Sequence, residues 1–259
     1  ITMYQISNFL DNDDISILST LGPFQVIEYQ RDLSVAPNSA IQAYYCAQMN
    51  VKKRQLVCDL SKAQVTIQAG AMQWMLGNVN ATMSIKGVTD FLGKAMRGKA
   101  SGESAIKPEY TGDGLLVLEP TYKHLILLDC ADWGGSIVLD DGLFLACDSN
   151  LKHKSVMRSN FSSAVAGGEG LFNLSLNGSG TFCIESECPQ EELIEITLQN
   201  DVLKIDGNYA IAWSGSLDFT VERSGKSLIG SAASGEGLVN VYRGTGKVLM
   251  MPTAKMPNI

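Results

Sequence analysis

Three stretches of this chain share one pattern at one spacing, and that repeat limits the available folds more than any other feature. Residues 101–120 read SGESAIKPEYTGDGLLVLEP, residues 167–186 read GGEGLFNLSLNGSGTFCIES, and residues 234–252 read SGEGLVNVYRGTGKVLMMP. Each opens on Gly-Glu, reaches Gly-x-Gly and then enters an apolar run. The Gly-Glu glycines, Gly102, Gly168 and Gly235, are 66 and 67 residues apart. The first glycines of Gly-x-Gly, Gly112, Gly178 and Gly244, are 66 and 66 apart. Two independent markers with one period read as three copies of one supersecondary unit.

A further marker precedes each copy: VTIQAGAMQWM (65–75), IVLDDGLFLAC (137–147) and LKIDGNYAIAW (203–213). Its glycines, Gly70, Gly142 and Gly207, sit between apolar runs, where a residue tolerant of positive φ makes a tight turn between strands. In the second copy Phe172, Leu174 and Leu176 alternate with Asn173, Ser175 and Asn177, the period-two pattern of a half-buried strand. In the third, Val239 and Val241 alternate with Asn240 and Tyr242, which puts Asn173 and Asn240 at one repeat position. Lys107 and Pro108 stand there in the first copy and predict an edge or bulged strand. Gly-x-Gly itself reads as a turn or bulge without a ligand.

The expected fold is therefore all-β: three tandem β-sandwich lobes in pseudo-threefold arrangement, packed as one unit. An N-terminal extension plus lobe one takes residues 1–120, lobe two 121–186, lobe three 187–252, and a tail 253–259. A β lobe of this size buries too little surface to stand well alone, so the three are expected to share their cores. One short helix is expected near 88–97, where Val88, Leu92 and Met96 recur at i, i+4 and i+8 before Gly98, inside an insertion of lobe one. A second helix candidate is Asp11–Leu21. Met3 is a candidate native start, after two residues of other origin.

The segments AGAMQWMLGNV (69–79), VLDDGLFLAC (138–147), GGEGLFNLSLNGSGTFCIES (167–186), KIDGNYAIAW (204–213) and SGEGLVNVYRGTGKVLMMP (234–252) resemble an uncharacterised bacterial family. Its fungal relatives are the altered-inheritance-of-mitochondria proteins. The resemblance covers about residues 55–252. It implies lobes of the tryptophan RNA-binding attenuator type, triplicated in one chain. It brings neither RNA binding nor tryptophan binding, because no ligand motif of the attenuator protein maps onto this sequence. The fungal relatives are linked to mitochondrial inner-membrane organisation, which points towards scaffolding.

The chemistry-bearing residues are sparse. The chain has only 2 histidines, His124 and His153, and six cysteines without a Cys-x-x-Cys pair. No Gly-x-Ser-x-Gly, phosphate loop or dinucleotide fingerprint occurs, so no catalytic, cofactor-binding or metal-binding residue is assigned. The nearest cysteine pair, Cys183 and Cys188, lacks histidines beside it in sequence, and Asp11–Asp14 lacks the later ligands of a calcium loop. Glu103, Glu169 and Glu236 share a repeat position. Either they form a quasi-symmetric ring that binds a cation or basic group, or each accepts backbone N–H bonds in its own turn.

Lys+Arg number 20 against 27 Asp+Glu, a net charge of -7, which disfavours nucleic acid as a partner. No run reaches the length of a membrane helix and no signal segment is visible, so the expectation is a cytoplasmic chain with reduced thiols and no membrane insertion. Trp74, Met72, Met75 and Trp213 read as core, whereas a contiguous exposed patch there would mark self-association or docking.

The functional expectation is a non-enzymatic binding or scaffolding protein without a cofactor, whose partner is another protein or itself. The alternatives are a small-molecule module using a groove between lobes and, last, RNA binding by fold analogy. Internal threefold symmetry can replace a homotrimer and does not forbid dimers.

Overall fold

The computed structural model describes residues 4–82, 107–157, 172–223 and 238–253. The helix expected at 88–97 and all three glutamates, Glu103, Glu169 and Glu236, lie outside the described residues. The N-terminal extension holds strands β1 (Ile15–Leu21) and β2 (Phe24–Tyr29) and the helix α1 (Ala40–Gln48). Lobe one holds β3 (Arg54–Asp59), β4 (Val65–Ile67), β5 (Met72–Thr82) and β6 (Glu109–Leu118). Lobe two holds β7 (His124–Asp129), β8 (Ser136–Leu139), β9 (Phe144–Asp148), β10 (Lys152–Met157), β11 (Phe172–Asn177) and β12 (Thr181–Ser186). Lobe three holds β13 (Ile194–Asp206), β14 (Ala210–Ser214), β15 (Asp218–Arg223) and β16 (Leu238–Met250). The protein is all-β with one short α-helix among the described residues, and that helix is α1. The stretch Asp11–Leu21 is not helical: Ile15 and Ile17 alternate with Ser16 in a strand that pairs antiparallel with β2.

The lobes repeat one pairing scheme. The first strand of each pairs with the end of the last: Val57 with Val117, Leu127 with Cys183, Ile196 with Val248. The strand after the turn glycine pairs with that same end segment from its other side, and each copy carries a register shift at the same place, skipping Gln73, Leu145 and Ile211. The marker glycines confirm the equivalence in backbone terms. Gly70, Gly142 and Gly207 have φ of 82°, 79° and 72°, and Gly112, Gly178 and Gly244 have 127°, 125° and 118°. In lobe two Gly178 separates β11 from β12, whereas Gly112 and Gly244 lie within single long strands. One sequence equivalence shifts: Asn240 pairs with Ile205 as Leu174 pairs with Leu139, so Asn240 corresponds to Leu174 and not to Asn173.

Two antiparallel sheets result, and neither coincides with a lobe. The nine-stranded sheet runs β1-β2-β3-β6-β4-β9-β12-β7, with β5 also on β6. The seven-stranded sheet runs β10-β11-β8-β14-β16-β13, with β15 also on β16. Lobe two is thus divided between them. It joins lobe one through β4–β9 and lobe three through β8–β14. The largest core is built across the second junction, from Ile137, Leu139, Phe144, Leu174, Phe182, Ala212 and their neighbours. Lobes that share buried strands cannot unfold separately without exposing those side chains. Lys107, the departure noted in the first copy, is buried: its Nζ donates to Gln68 Oε1 at 2.8 Å and lies 4.5 Å from the centre of the Phe144 ring in lobe two.

Candidate functional site

The segment from Leu33 to Val51 carries no charged residue. Pro37 opens a 3₁₀ turn with its ring-fixed φ, and α1 follows. Asn50 ends it at φ 62°, with Asn50 N–H donating to Ala47 C=O at 3.2 Å and Val51 N–H to Cys46 C=O at 3.0 Å. That is a Schellman closure, in which a left-handed residue lets the chain turn back on the last carbonyls.

Arg54 ties this closure to the sheet. Its side chain is fully buried, with Nη2 2.6 Å from Glu28 Oε2 and donating to Asn50 Oδ1 at 2.6 Å and Asn50 C=O at 3.1 Å. Backbone bonds between Arg54 and Thr121 run both ways, at 2.7 and 2.9 Å, so the same residue also holds the segment leading into lobe two. Glu28 is shared with Lys52, at 3.2 Å. A buried guanidinium has five donors to satisfy, and here a carboxylate, a side-chain amide and several carbonyls take them.

None of α1's residues is buried. Ile41, Tyr44, Tyr45 and Met49 fall at i, i+3, i+4 and i+8, and all are exposed, Ile41 by 75 % and Met49 by 78 %. An apolar stripe at helical spacing normally faces a core, and this one faces solvent. Beside it a cavity of about 650 Å³ opens between α1 and the ends of β2 and β3, walled by Tyr29, Val35, Ala43, Tyr44, Ala47 and Tyr122. Its charged rim pairs internally: Lys53 Nζ meets Asp32 Oδ2 at 2.6 Å, and Arg31 Nε meets Asp14 Oδ1 at 2.5 Å. The hydrogen bond from Lys53 holds the Asp32 carboxyl below its ordinary range and raises the Lys53 ammonium in return. Burial raises the Tyr29 phenol, which donates to Gln55 Oε1. The site is an apolar concavity with a rim of mutually paired charges, suited to an apolar segment or a compact apolar ligand.

The chemistry-bearing residues are dispersed. Burial pushes the Cys147 thiol up to about 12, and it raises Cys58 and Cys183 too, so these thiols stay protonated in the core. Burial, followed by the nearby Arg54 charge, lowers His124. His153 sits on β10, which is exposed from Lys152 to Val156. No group of three or more His, Cys, Asp or Glu side chains able to hold a metal occurs among the described residues. No helix among them is long and apolar enough to cross a membrane.

Comparison with known proteins places this architecture. A family model described as mitochondrial biogenesis AIM24 matches residues 48–253. The chain belongs to that family. An uncharacterised protein of Streptococcus pyogenes serotype M6 is 32 % identical over 192 residues, 71 % of this chain and 75 % of the relative. A crystal structure of a Streptococcus pyogenes protein aligns with a TM-score of 0.56 at 26 % identity, over 79 % of this chain and 90 % of the other. The resemblance drawn from the glycine markers is thereby established. The match to the AIM24 model begins at Gln48, so nearly all of α1 lies ahead of the matched region. Sequence reasoning missed this helix, although an uncharged run from Leu33 to Val51 with tyrosines at adjacent positions marked the segment as unusual.

Proposed function

We propose that this AIM24-family chain is a non-enzymatic binding and scaffolding protein that holds an apolar segment of a partner protein against α1 and the adjoining groove. The observation that carries the reading is the Ile41–Tyr44–Tyr45–Met49 stripe, turned to solvent on a helix whose closing turn is clamped to the sheet through Arg54. A helix fixed from behind with its apolar face outward is already ordered for docking, which lowers the entropic cost of association. The charges on the rim of the groove are already paired with one another, which supports binding over catalysis. The groove's 650 Å³ favours a second reading, a compact apolar small molecule seated under Tyr44 and Tyr122. This groove lies between α1 and the ends of β2 and β3, with Tyr122 at the start of lobe two on its wall, and is not a cleft between two lobes.

The test is native mass spectrometry of the chain purified gently from its own host, beside an Ile41→Ser/Tyr45→Ser/Met49→Ser variant. Docking predicts an added protein mass on the wild type that the variant loses; the second reading predicts a small added mass. A wild type that carries no added mass of either kind would contradict both readings.

A further inference from the structure

The two junctions between lobes are one junction made twice. In the first, Val65, Thr66 and Ile67 of β4 pair with Asp148, Cys147 and Ala146 of β9. In the second, Ile137, Val138 and Leu139 of β8 pair with Ser214, Trp213 and Ala212 of β14. The flanking bonds match as well. Gln68 N–H donates to Leu145 C=O at 2.7 Å where Asp140 N–H donates to Ile211 C=O at 2.9 Å, and Ser149 N–H donates to Gln64 C=O at 2.9 Å where Gly215 N–H donates to Ser136 C=O at 2.8 Å.

The scheme leaves one half-junction at each end of the series. Lobe one presents the β9-type strand as the first half of β5, and lobe three presents the β4-type strand as the second half of β13. Among the described residues β5 pairs only with β6, and β13 only with β16. Their exposure is the counterpart. β14 is buried throughout, as are Phe144 to Cys147, but Met72 and Met75 are exposed, Met75 by 45 %. β4 is buried throughout, but of its counterparts on β13 Leu203 is half-buried and Lys204 exposed, with only Ile205 buried. The β5 edge, MQWMLGNVNAT, has neither a charge nor a proline, the usual protections of a free edge.

We propose that these two edges are the halves of an intermolecular junction: β13 of one copy pairs antiparallel with β5 of a second copy. The register follows from the two internal junctions. Leu203, Lys204 and Ile205 of one copy face Leu76, Met75 and Trp74 of the next, flanked by Asp206 N–H to Gln73 C=O and Gly77 N–H to Val202 C=O. The contact uses different surfaces on the two copies, so it is head-to-tail and propagates into a ring or an open chain. The first half of β5 and Met75 then become as buried as Cys147 and Trp213 already are.

The register makes the proposal testable by charge. Met75→Lys sets a lysine opposite Lys204, and like charges across a buried junction weaken it by about tenfold or more. Adding Lys204→Glu restores opposite charges. Sedimentation velocity of the full chain across a wide concentration range is expected to show wild-type self-association, loss of it in Met75→Lys, and recovery in Met75→Lys/Lys204→Glu. Circular dichroism melting checks that each variant is folded. A wild type that stays monomeric throughout would overturn the proposal. So would a Met75→Lys variant that folds and assembles like the wild type, or a defect that Lys204→Glu leaves unrepaired, which would indicate β5 pairing with β5.

Discussion

Replacing Arg54 by alanine is expected to cost more than the loss of one ion pair suggests. Both partners are nearly inaccessible, with side-chain exposures of 2 % for Arg54 and 6 % for Glu28. Removing the guanidinium leaves a carboxylate that has already lost its hydration, a situation that costs roughly 3–5 kcal/mol. Lys52, 3.2 Å from Glu28, retains part of the attraction and places the expectation at the lower end, about 3 kcal/mol. For a chain of this size that is a fall of roughly 6–12 °C in Tm. Asn50 also loses two donors, so the closing turn of α1 is released and the stripe loses its fixed position. The assay is thermal and urea unfolding of wild type, Arg54→Ala and the paired Arg54→Met/Glu28→Leu. Replacing both charges with apolar groups removes the stranded carboxylate, so the double variant is expected within about 1 kcal/mol of wild type. An Arg54→Ala loss below about 1 kcal/mol, or a double variant no better than the single, would refute the reasoning.

Three further outcomes follow from the same geometry. His124 has a lowered folded-state pKa, caused first by burial and then by Arg54. The folded chain therefore resists its protonation. Stability is full above the unfolded value near 6.5 and falls as pH drops below it, and His124→Gln should flatten urea-midpoint profiles across that window. Among the marker glycines, a Cβ at Gly112 would stand 2.0 Å from the Asn78 carbonyl oxygen, whereas at Gly244 nothing lies nearer than 3.8 Å. Gly244→Ala should then cost only the backbone strain of its positive φ, about 1–3 kcal/mol, and Gly112→Ala distinctly more, measured as urea midpoints. Five of the six cysteines are buried and Cys46 on α1 is not, so a thiol reagent should label one site rapidly in the folded chain and six in denaturant. Rapid labelling of Cys147 under native conditions would contradict its burial in the core.

Much of the fold was legible because glycine marks backbone geometry that other residues reach only with strain. Gly70, Gly142 and Gly207 announced three equivalent turns, and Gly112, Gly178 and Gly244 three equivalent positions of positive φ, each set within a narrow range of φ. Ile15 to Leu21 was misread as helix although Ile15, Ser16 and Ile17 already alternate, since the acidic run before it resembled a helix start. The Asn173–Asn240 equivalence slipped by one residue because the Gly-Glu and Gly-x-Gly markers differ by one in their last step. The exposed stripe of α1 could not be read at all. Its spacing is that of a buried face, and it is a surface because no described element covers it. Met72 and Met75 show the same limit: they stand where β9 and β14 do, and that no strand among the described residues lies beside them is a fact of topology.

The most direct measurement is amide hydrogen exchange of the full chain at low and high protein concentration. Three copies of one unit joined by two like junctions, with the third left for another copy, predict slow exchange for β4, β8, β9 and β14 at both concentrations. The amides on the two outer edges, Met75 and Gly77 of β5 and Lys204 and Asp206 of β13, should exchange fast when dilute and gain protection together when concentrated. Protection of both edges already present at high dilution would mean that the chain closes its third junction on itself, and would contradict the account.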